Sequence, residues 1–213
     1  QLARWVAWAR DADAVLIYDA AYDAFIQDPA IPRSIYEIPG AESCAIEMRS
    51  YSKRAGFTGV RCAYTVIPKG VTGITASGER VALQALWARR QATKFNGVPY
   101  VIQRGAEAVH SPEGKKQTAE QVAFYMENAT RLRNGLTGAG FHVFGGVHAP
   151  YIWMRVPAGM TSWGFFDELL RQRERIILIG QVVPAVGFGI GIGRAVIAIV
   201  VGSLIPAAST YYH

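Results

Sequence analysis

Residues 50–61 combine side chains that can bind a phosphate with one that can form a covalent bond. The sequence SYSKRAGFTGVR places the hydroxyls of Ser50 and Ser52 just before Lys53, and the guanidinium of Arg61 eight positions after the lysine. Hydroxyl donors and a forked cation are groups that hold phosphate. The segment follows an apolar run, and a lysine at the end of a buried strand is costly unless its amine is neutralised or used. The pattern indicates either an anion-binding loop around a reactive amine or a solvated basic loop.

A second apolar run, AVLIYDAAY at 14–22, ends in Asp19 and Tyr22, and we interpret it as a buried strand. An aspartate at such a strand end can pair with a protonated ring nitrogen, and the tyrosine can donate to a ring oxygen. With Lys53 these groups match the needs of pyridoxal phosphate: an amine for the Schiff base, a carboxylate for the pyridinium and a phosphate cup. Once released from the cofactor, the same amine can carry a proton.

Each residue also has an ordinary structural interpretation. Ser-x-Ser-Lys alone is typical of a solvated loop, and an aspartate after a strand is often a helix cap. Tyr22 alone would pack in a core, and Arg61 alone would form a surface ion pair. The cofactor hypothesis therefore depends on the combination and order of the residues. We interpret Cys62 as a packed strand residue, and the four histidines show no ligand spacing, so no metal site is predicted.

Hydrophobic patterning predicts the elements that must position these groups. Apolar runs predict strands at 14–22, 44–50 and 62–68, and helical spacing predicts helices from Leu2, at about 79–95 and at 97–110. Ser111 and Pro112 are typical of a helix start, with an apolar face at Val122, Met126, Ala129, Leu132 and Leu136 and an end at Gly138 and Gly140. FHVFGG and APYIWMRVP predict paired strands, and WGFFDELL at 163–170 a short helix. This mixture predicts an α/β architecture with binding groups at strand carboxyl ends.

Composition narrows the classes of function. The 213 residues are enough for one sizeable domain or two small ones, and 51% hydrophobic with 18% charged residues indicates a globular chain. The net charge of +6 is mostly scattered, which favours an anionic small ligand over nucleic acid. The two cysteines form no disulfide framework, so we expect the reducing cytoplasm. No signal peptide is recognisable, and the helical pattern at Leu2 suggests that the sequence starts inside a longer protein.

The tail from about residue 176 has a different, apolar composition. Pro184, Arg194 and six glycines interrupt it, which argues against a membrane span. GFGIGIG lacks the G-x-G-x-x-G spacing of dinucleotide-binding loops. We therefore assign the tail no binding motif.

Four stretches resemble the LL-diaminopimelate aminotransferase family, which belongs to the class I/II, fold-type I pyridoxal phosphate aminotransferases. They are YDAAYDAFIQDPAIPRSIYEIPGA, SYSKRAGFTGVRCAYTVIPK, TKFNGVPYVIQRGAEAVHSPEGK and GGVHAPYIWMRVPAGMTSWGFFDELL, within about residues 1–170. The resemblance implies part of the large mixed-sheet domain at 1–115 and a smaller α+β C-terminal domain at 116–213. It also implies amino transfer between LL-2,6-diaminopimelate and 2-oxoglutarate in lysine biosynthesis, by a homodimer and without a nucleic-acid partner.

The resemblance further implies roles for single residues. Lys53 resembles the catalytic Schiff-base lysine, Asp19 the partner of the pyridinium and Tyr22 the donor to the ring hydroxyl. The remaining cofactor-binding positions are Ser50, Tyr51, Ser52 and Arg61 around the phosphate, and Asn96 in TKFNG. Asn96 also resembles a substrate-binding position, with a turn asparagine before Gly97 as the structural alternative.

Two parts of the family pattern have no counterpart here. Family members carry a preceding half with an Asn-Pro loop, an aromatic residue that stacks on the cofactor and contacts for the substrate's distal amine. They also have a late strand whose arginine binds the substrate carboxylate; alignment on GFG at 187–189 puts Ile197 there, with Arg194 out of register. Two alternatives stay open: another class I/II aminotransferase, or a non-catalytic fragment associated with a membrane through its tail.

Overall fold

The computed structural model describes residues 1–172 and 196–200, the last five as backbone only. The helices are α1 (Leu2–Asp11), α2 (Tyr51–Arg54), α3 (Leu83–Lys94), α4 (Tyr100–Val109), α5 (Pro112–Gly138) and α6 (Ser162–Gln172). The strands are β1 (Leu16–Asp19), β2 (Ala45–Ser50), β3 (Ala63–Val66), β4 (Thr72–Ile74), β5 (Arg80–Ala82), β6 (Val143–Gly145), β7 (Tyr151–Arg155) and β8 (Val196–Val200). The chain forms two compact units, Gln1–Val122 and one that begins at Ala123.

The first unit contains a three-stranded sheet in the order β1-β2-β3. Strands β1 and β2 are parallel, with Asp19 opposite Met48, and β3 runs antiparallel to β2, with Ser50 opposite Ala63. The three strands predicted around the candidate residues are therefore confirmed. Because β1 and β2 are parallel, their carboxyl ends lie at the same edge of the sheet, and β3 begins there.

One face of this sheet packs on α1. Val6 and Ala9 of the helix are buried with Ile35, Ala41 and Ala45, and Leu16 and Tyr18 pack against this cluster. Ile17, on the opposite face of β1, is 62% exposed. The prediction of a fully buried strand at 14–22 was therefore wrong in part, because successive side chains of a strand point to opposite faces and this cluster covers one of them.

The region before α3 forms a hairpin rather than a helix. Strands β4 and β5 pair antiparallel, with Gly73 opposite Val81, and the helix begins at Leu83 instead of about residue 79. The connecting turn is held by a Gly78 N–H donating to the Thr75 carbonyl at 2.9 Å, and Gly78 has φ +84°. A turn that needs this left-handed glycine overrode the helical spacing of the apolar residues.

The long helix α5 begins as predicted, since Ser111 Oγ accepts the Gly114 N–H at 3.0 Å. Its predicted apolar face is also confirmed: Val122, Met126 and Ala129 are buried. In the second unit, Leu132 and Leu136 pack with α6 and the β6–β7 hairpin around Met154 and Phe165.

The late part of the chain adds one strand to the second unit. Strand β8 pairs antiparallel with β7, placing the backbone of Ile197 opposite Met154. Arg194 and most of the unusual tail lie outside the described residues. Within the described residues, no helix is both long and apolar enough to cross a membrane.

Gly114 provides a test of the junction between α4 and α5. A Cβ at this position would overlap the Ala108 carbonyl oxygen and come 2.8 Å from Val109 Cα. We expect Gly114→Ala to lower the free energy of unfolding by about 1–3 kcal/mol, because backbone atoms must move to admit the methyl group. Urea unfolding, monitored by circular dichroism, measures this change.

The matched control is Gly135→Ala in the same helix, where a Cβ would meet no heavy atom within 4 Å. This change should leave stability equal or raise it by up to about 1 kcal/mol, the difference in helix propensity. Equal unfolding curves for the two variants would contradict the tight junction.

Candidate active site

Lys53 lies in α2, the four-residue helix that starts directly after β2. Ser50 caps this helix, because its Oγ accepts the Ser52 N–H at 3.1 Å. The Tyr51 N–H donates to the Cys62 carbonyl at 3.1 Å and so ties the helix to the start of β3. Lys53 is half-buried, with Nζ 5.9 Å from the centroid of the Tyr22 ring. The fold thus brings Lys53 and Tyr22 together from separate parts of the sequence.

Asp19 ends β1 at the same edge of the sheet. Its Oδ1 accepts the Ala21 N–H at 3.0 Å, and the neighbouring Ala20 N–H donates to the Met48 carbonyl of β2 at 2.9 Å. Asp19 is exposed, and its Oδ2 makes no hydrogen bond within the described residues. The aspartate therefore shapes the turn with one oxygen, and contact of the other with a ligand stays a prediction.

The residues predicted to bind phosphate lie on both sides of Lys53 in the chain, at the start of α2 and in the loop after it. The loop closes over α2 through Thr58, whose Oγ1 donates to the Ser52 carbonyl at 3.1 Å. Arg61 has φ +56° and donates from Nη1 to the Thr58 carbonyl at 2.8 Å, while its side chain stays exposed. The Ser52 N–H hydrogen-bonds to Ser50 Oγ, and Thr58 connects Arg61 to the Ser52 carbonyl.

The side chain of Tyr51, the first residue of α2, packs against residues outside the helix. Its ring packs against Phe57 and Tyr64, and its hydroxyl lies 2.8 Å from His110 Nε2. Burial raises the pKa of the Tyr51 phenol, with a further contribution from Tyr64, so the hydroxyl stays protonated. The contact with His110 was not predicted, because the two residues are 59 positions apart.

Asn96 lies after α3, in a groove lined by Tyr64, Trp87 and Phe95 among others; Lys53 is not one of the lining residues. Asn96 has φ +63°, and its N–H donates to the Gln91 carbonyl at 2.9 Å. This conformation matches the turn asparagine considered as the structural alternative. Its role towards a ligand stays a prediction.

Cys62 is 5% exposed, and burial raises the pKa of its thiol above the ordinary value. A buried thiol with a raised pKa has little thiolate character. This agrees with the interpretation of Cys62 as a packed residue.

A buried network of charges beneath the site was missed by sequence reasoning. Asp23 and Glu47 are 6% and 3% exposed, and Arg49 bridges them with contacts of 2.5 Å and 2.6 Å. Arg54 pairs with Asp23 as well. Burial alone would lower the pKa of the Arg49 guanidinium, but the Glu47 hydrogen bond and the charges of both carboxylates outweigh it, and the pKa is raised. A signal existed, since Ala45 and Glu47 share one strand face and a carboxylate facing a core needs a partner.

Comparison with known proteins decides the family. The family model for aminotransferases of class I and II matches residues 1–198. The chain belongs to this family. Two curated LL-diaminopimelate aminotransferases from Prochlorococcus marinus are similar: that of strain MIT 9515 is 58% identical over 190 residues, and that of strain MIT 9211 is 56% identical over 189. In both, the match covers 89% of this chain but only 45% of the relative's length.

Solved structures agree with the fold-type I architecture. An L,L-diaminopimelate aminotransferase from Chlamydomonas reinhardtii superposes with a TM-score of 0.79 at 42% identity, covering 94% of this chain and 47% of that one. An aromatic aminotransferase from Pyrococcus horikoshii has a TM-score of 0.72 at 23% identity, over 93% of this chain and 49% of that one, and shares the fold. Aminotransferases of class I and II use pyridoxal 5′-phosphate.

Glu47 offers a test of the network beneath the site. Its Oε2 accepts hydrogen bonds from Ser34 Oγ at 2.7 Å and from the Ile35 N–H at 2.8 Å. With Glu47→Gln, an amide N–H must face either these donors or Arg49 Nε, so one buried hydrogen bond is lost. We expect the free energy of unfolding to fall by about 1.5–3 kcal/mol, as for hydrogen bonds to charged groups. Chemical denaturation measures the change.

The control is Glu127→Gln, which removes the charge from an exposed pair with Arg131 on α5. Exposed pairs contribute little to stability, so this variant should unfold like the parent. If Glu47→Gln did the same, the network would not be a stabilising feature.

Proposed function

We propose that this chain carries the cofactor-binding lysine of a pyridoxal phosphate-dependent aminotransferase that acts on LL-2,6-diaminopimelate and 2-oxoglutarate. The observation that carries the proposal is the approach of Lys53 Nζ to the Tyr22 ring, 5.9 Å from its centroid, at the edge where β1 and β2 end. The substrate assignment is supported by the similarity to relatives named LL-diaminopimelate aminotransferase.

The donor set fits the chemistry of the cofactor. Lys53 offers a half-buried amine for the aldehyde carbon, and the Tyr22 hydroxyl is a donor for the ring oxygen. Asp19 keeps one carboxylate oxygen outside its turn hydrogen bond, and that oxygen can hold the ring nitrogen protonated. When bound, the cofactor supplies an electron sink for the pair left at the substrate's α-carbon. Lys53 Nζ would take the proton from the substrate's α-carbon and deliver it to the cofactor carbon that retains the nitrogen.

The phosphate would be held at the start of α2. Ser50 Oγ accepts the Ser52 N–H, which leaves its hydroxyl hydrogen for an anion, and Ser52 follows two positions later in the chain. Arg61 uses one nitrogen within its own loop and retains other N–H donors. Tyr51, between the two serines, is proposed to bind the cofactor with them, and Asn96 to contact both cofactor and substrate.

The overall exchange is balanced without an external oxidant. The donor carbon gives up its amino group and becomes a ketone, while the ketone of 2-oxoglutarate becomes the amine of glutamate. The keto product of diaminopimelate closes on its remaining amine with loss of water, which gives tetrahydrodipicolinate. The chain's own groups only position the substrates and move protons in this scheme.

We further propose that residues 1–115 are part of the large domain and that residues 116–213 belong to the small C-terminal domain. The protein would be a cytoplasmic homodimer. Reduced, buried Cys44 and Cys62 suit the cytoplasm, and an exposed apolar surface at Leu86, Phe95, Tyr100 and Val101 suits a subunit interface.

Lys53 can be tested directly in the full-length protein that contains this chain. After incubation with pyridoxal phosphate and reduction with borohydride, peptide mapping should find the pyridoxyl group on Lys53. Lys53→Ala should lose this label and at least about 100-fold of the transamination rate, because the proposed carrier of the α-proton is removed. Lys116→Ala, at an exposed position of α5, should keep both.

A label on another lysine, or none at all, would overturn the proposed site. The substrate is tested separately, by measuring kcat/KM for LL-diaminopimelate against aromatic and acidic amino acids. A higher kcat/KM for an aromatic or acidic amino acid would overturn the proposed substrate but not the proposed cofactor site.

A further inference from the structure

The carboxylate of Asp23 holds two arginines that flank Lys53 in the sequence. Asp23 directly follows Tyr22, and its side chain is 5% exposed. Its Oδ2 accepts a 2.5 Å hydrogen bond from Arg49 Nη1 and another from Arg54 Nη2. Arg49 lies four positions before Lys53 and Arg54 one position after it. A single buried oxygen therefore contacts both sides of the segment that carries the lysine.

The two arginines differ in their other partners. Arg49 also donates to Glu47 and, at 2.8 Å, to the carbonyl of Arg33, so it is held even without Asp23. The ion pair that Arg54 makes within the described residues is with Asp23, and its side chain is 32% exposed. Loss of Arg54 would thus leave Asp23 paired with Arg49, and no buried charge would be stranded.

Helix α2 depends on such contacts for its orientation. It has four residues, which is too short for helical hydrogen bonds to hold it without tertiary support. Its first turn is fixed by Ser50 Oγ and by the Tyr51 N–H. Arg54 supplies a contact from the other end, next to Lys53.

Two contacts connect the segment that contains Lys53 to the segment that contains Tyr22. Tyr22 and Asp23 are adjacent in the chain, as are Lys53 and Arg54. Lys53 Nζ approaches the Tyr22 ring, and the next residue of each segment forms the Asp23–Arg54 ion pair. We propose that the Asp23–Arg54 pair is a positioning device that aims the Lys53 amine for attack on an aldehyde, a condensation that forms a C=N bond and releases the aldehyde oxygen as water. This inference rests on the proposed function; neither residue is assigned contact with cofactor or substrate.

The role predicts a particular pattern of effects. The orientation of the amine controls the rate at which its bond to the aldehyde forms. A misplacement of about 1 Å can lower this rate about 100-fold. Affinity for a ligand that has the phosphate but no aldehyde depends instead on Ser50, Ser52 and Arg61. A positioning role therefore separates rate from affinity, which general destabilisation does not.

The test uses the full-length protein and Arg54→Met. With saturating pyridoxal phosphate, the first-order rate of adduct formation at Lys53, trapped by borohydride, should fall by about 10- to 100-fold. The dissociation constant of pyridoxamine phosphate, which cannot form this bond, should stay within about twofold, as for a neutral substitution. Arg54→Lys keeps the charge and should recover most of the rate.

Arg131→Met is the matched control, because it breaks an exposed arginine–carboxylate pair on α5 and should change neither quantity. An unchanged rate in Arg54→Met would overturn the inference, and so would equal losses of rate and affinity. Should Arg54→Met fail to fold, Arg54→Gln supplies the same comparison. Absence of any adduct on Lys53 in the parent protein would instead overturn the proposed function itself.

Discussion

The burial of Asp23 and Glu47 is the constraint on which the rest of this site depends. A carboxylate removed from water is costly unless cations and donors replace the lost hydration. Arg49 meets that need for both groups, and Ser34 and the Ile35 N–H complete the environment of Glu47. The loop after β1 and the segment leading to Lys53 are consequently held to one strand, β2.

Parallel pairing of β1 and β2 adds the second condition. It places Asp19 and Ser50 at one edge of the sheet, although 31 positions separate them. The short helix α2 then turns Lys53 back towards Tyr22, and the start of β3 closes the arrangement through the Tyr51–Cys62 hydrogen bond. Groups at strand ends are close in space without being part of the regular sheet, which is why such edges suit ligands.

Structural and functional interpretations of the same residue proved compatible. Ser50 is a helix cap, Asp19 shapes a turn with one oxygen, and Asn96 occupies a left-handed turn position. Each of these local roles fixes the backbone of the residue while leaving at least one polar side-chain atom for another partner. Preorganisation of this kind lowers the ordering cost that ligand binding would otherwise include.

The sequence by itself determined the elements and the chemistry of the site. Local apolar runs predicted the three strands of the first sheet and the β6–β7 hairpin, and Ser111 with Pro112 predicted the start of α5, because such patterns depend on near neighbours. The order of Asp19, Tyr22 and Lys53 with its serines indicated the cofactor, and resemblance to a family indicated the substrate.

Only the tertiary structure decided which side chains share a partner. The Asp23–Arg54 pair spans 31 positions and the Tyr51–His110 contact spans 59, distances at which no local pattern operates. It also decided that one face of β1 is exposed and that residues 80–82 form a strand, because burial and hairpin pairing depend on what lies opposite each residue. Residue types therefore specified the chemistry available, and packing across the sheet specified how its groups are held.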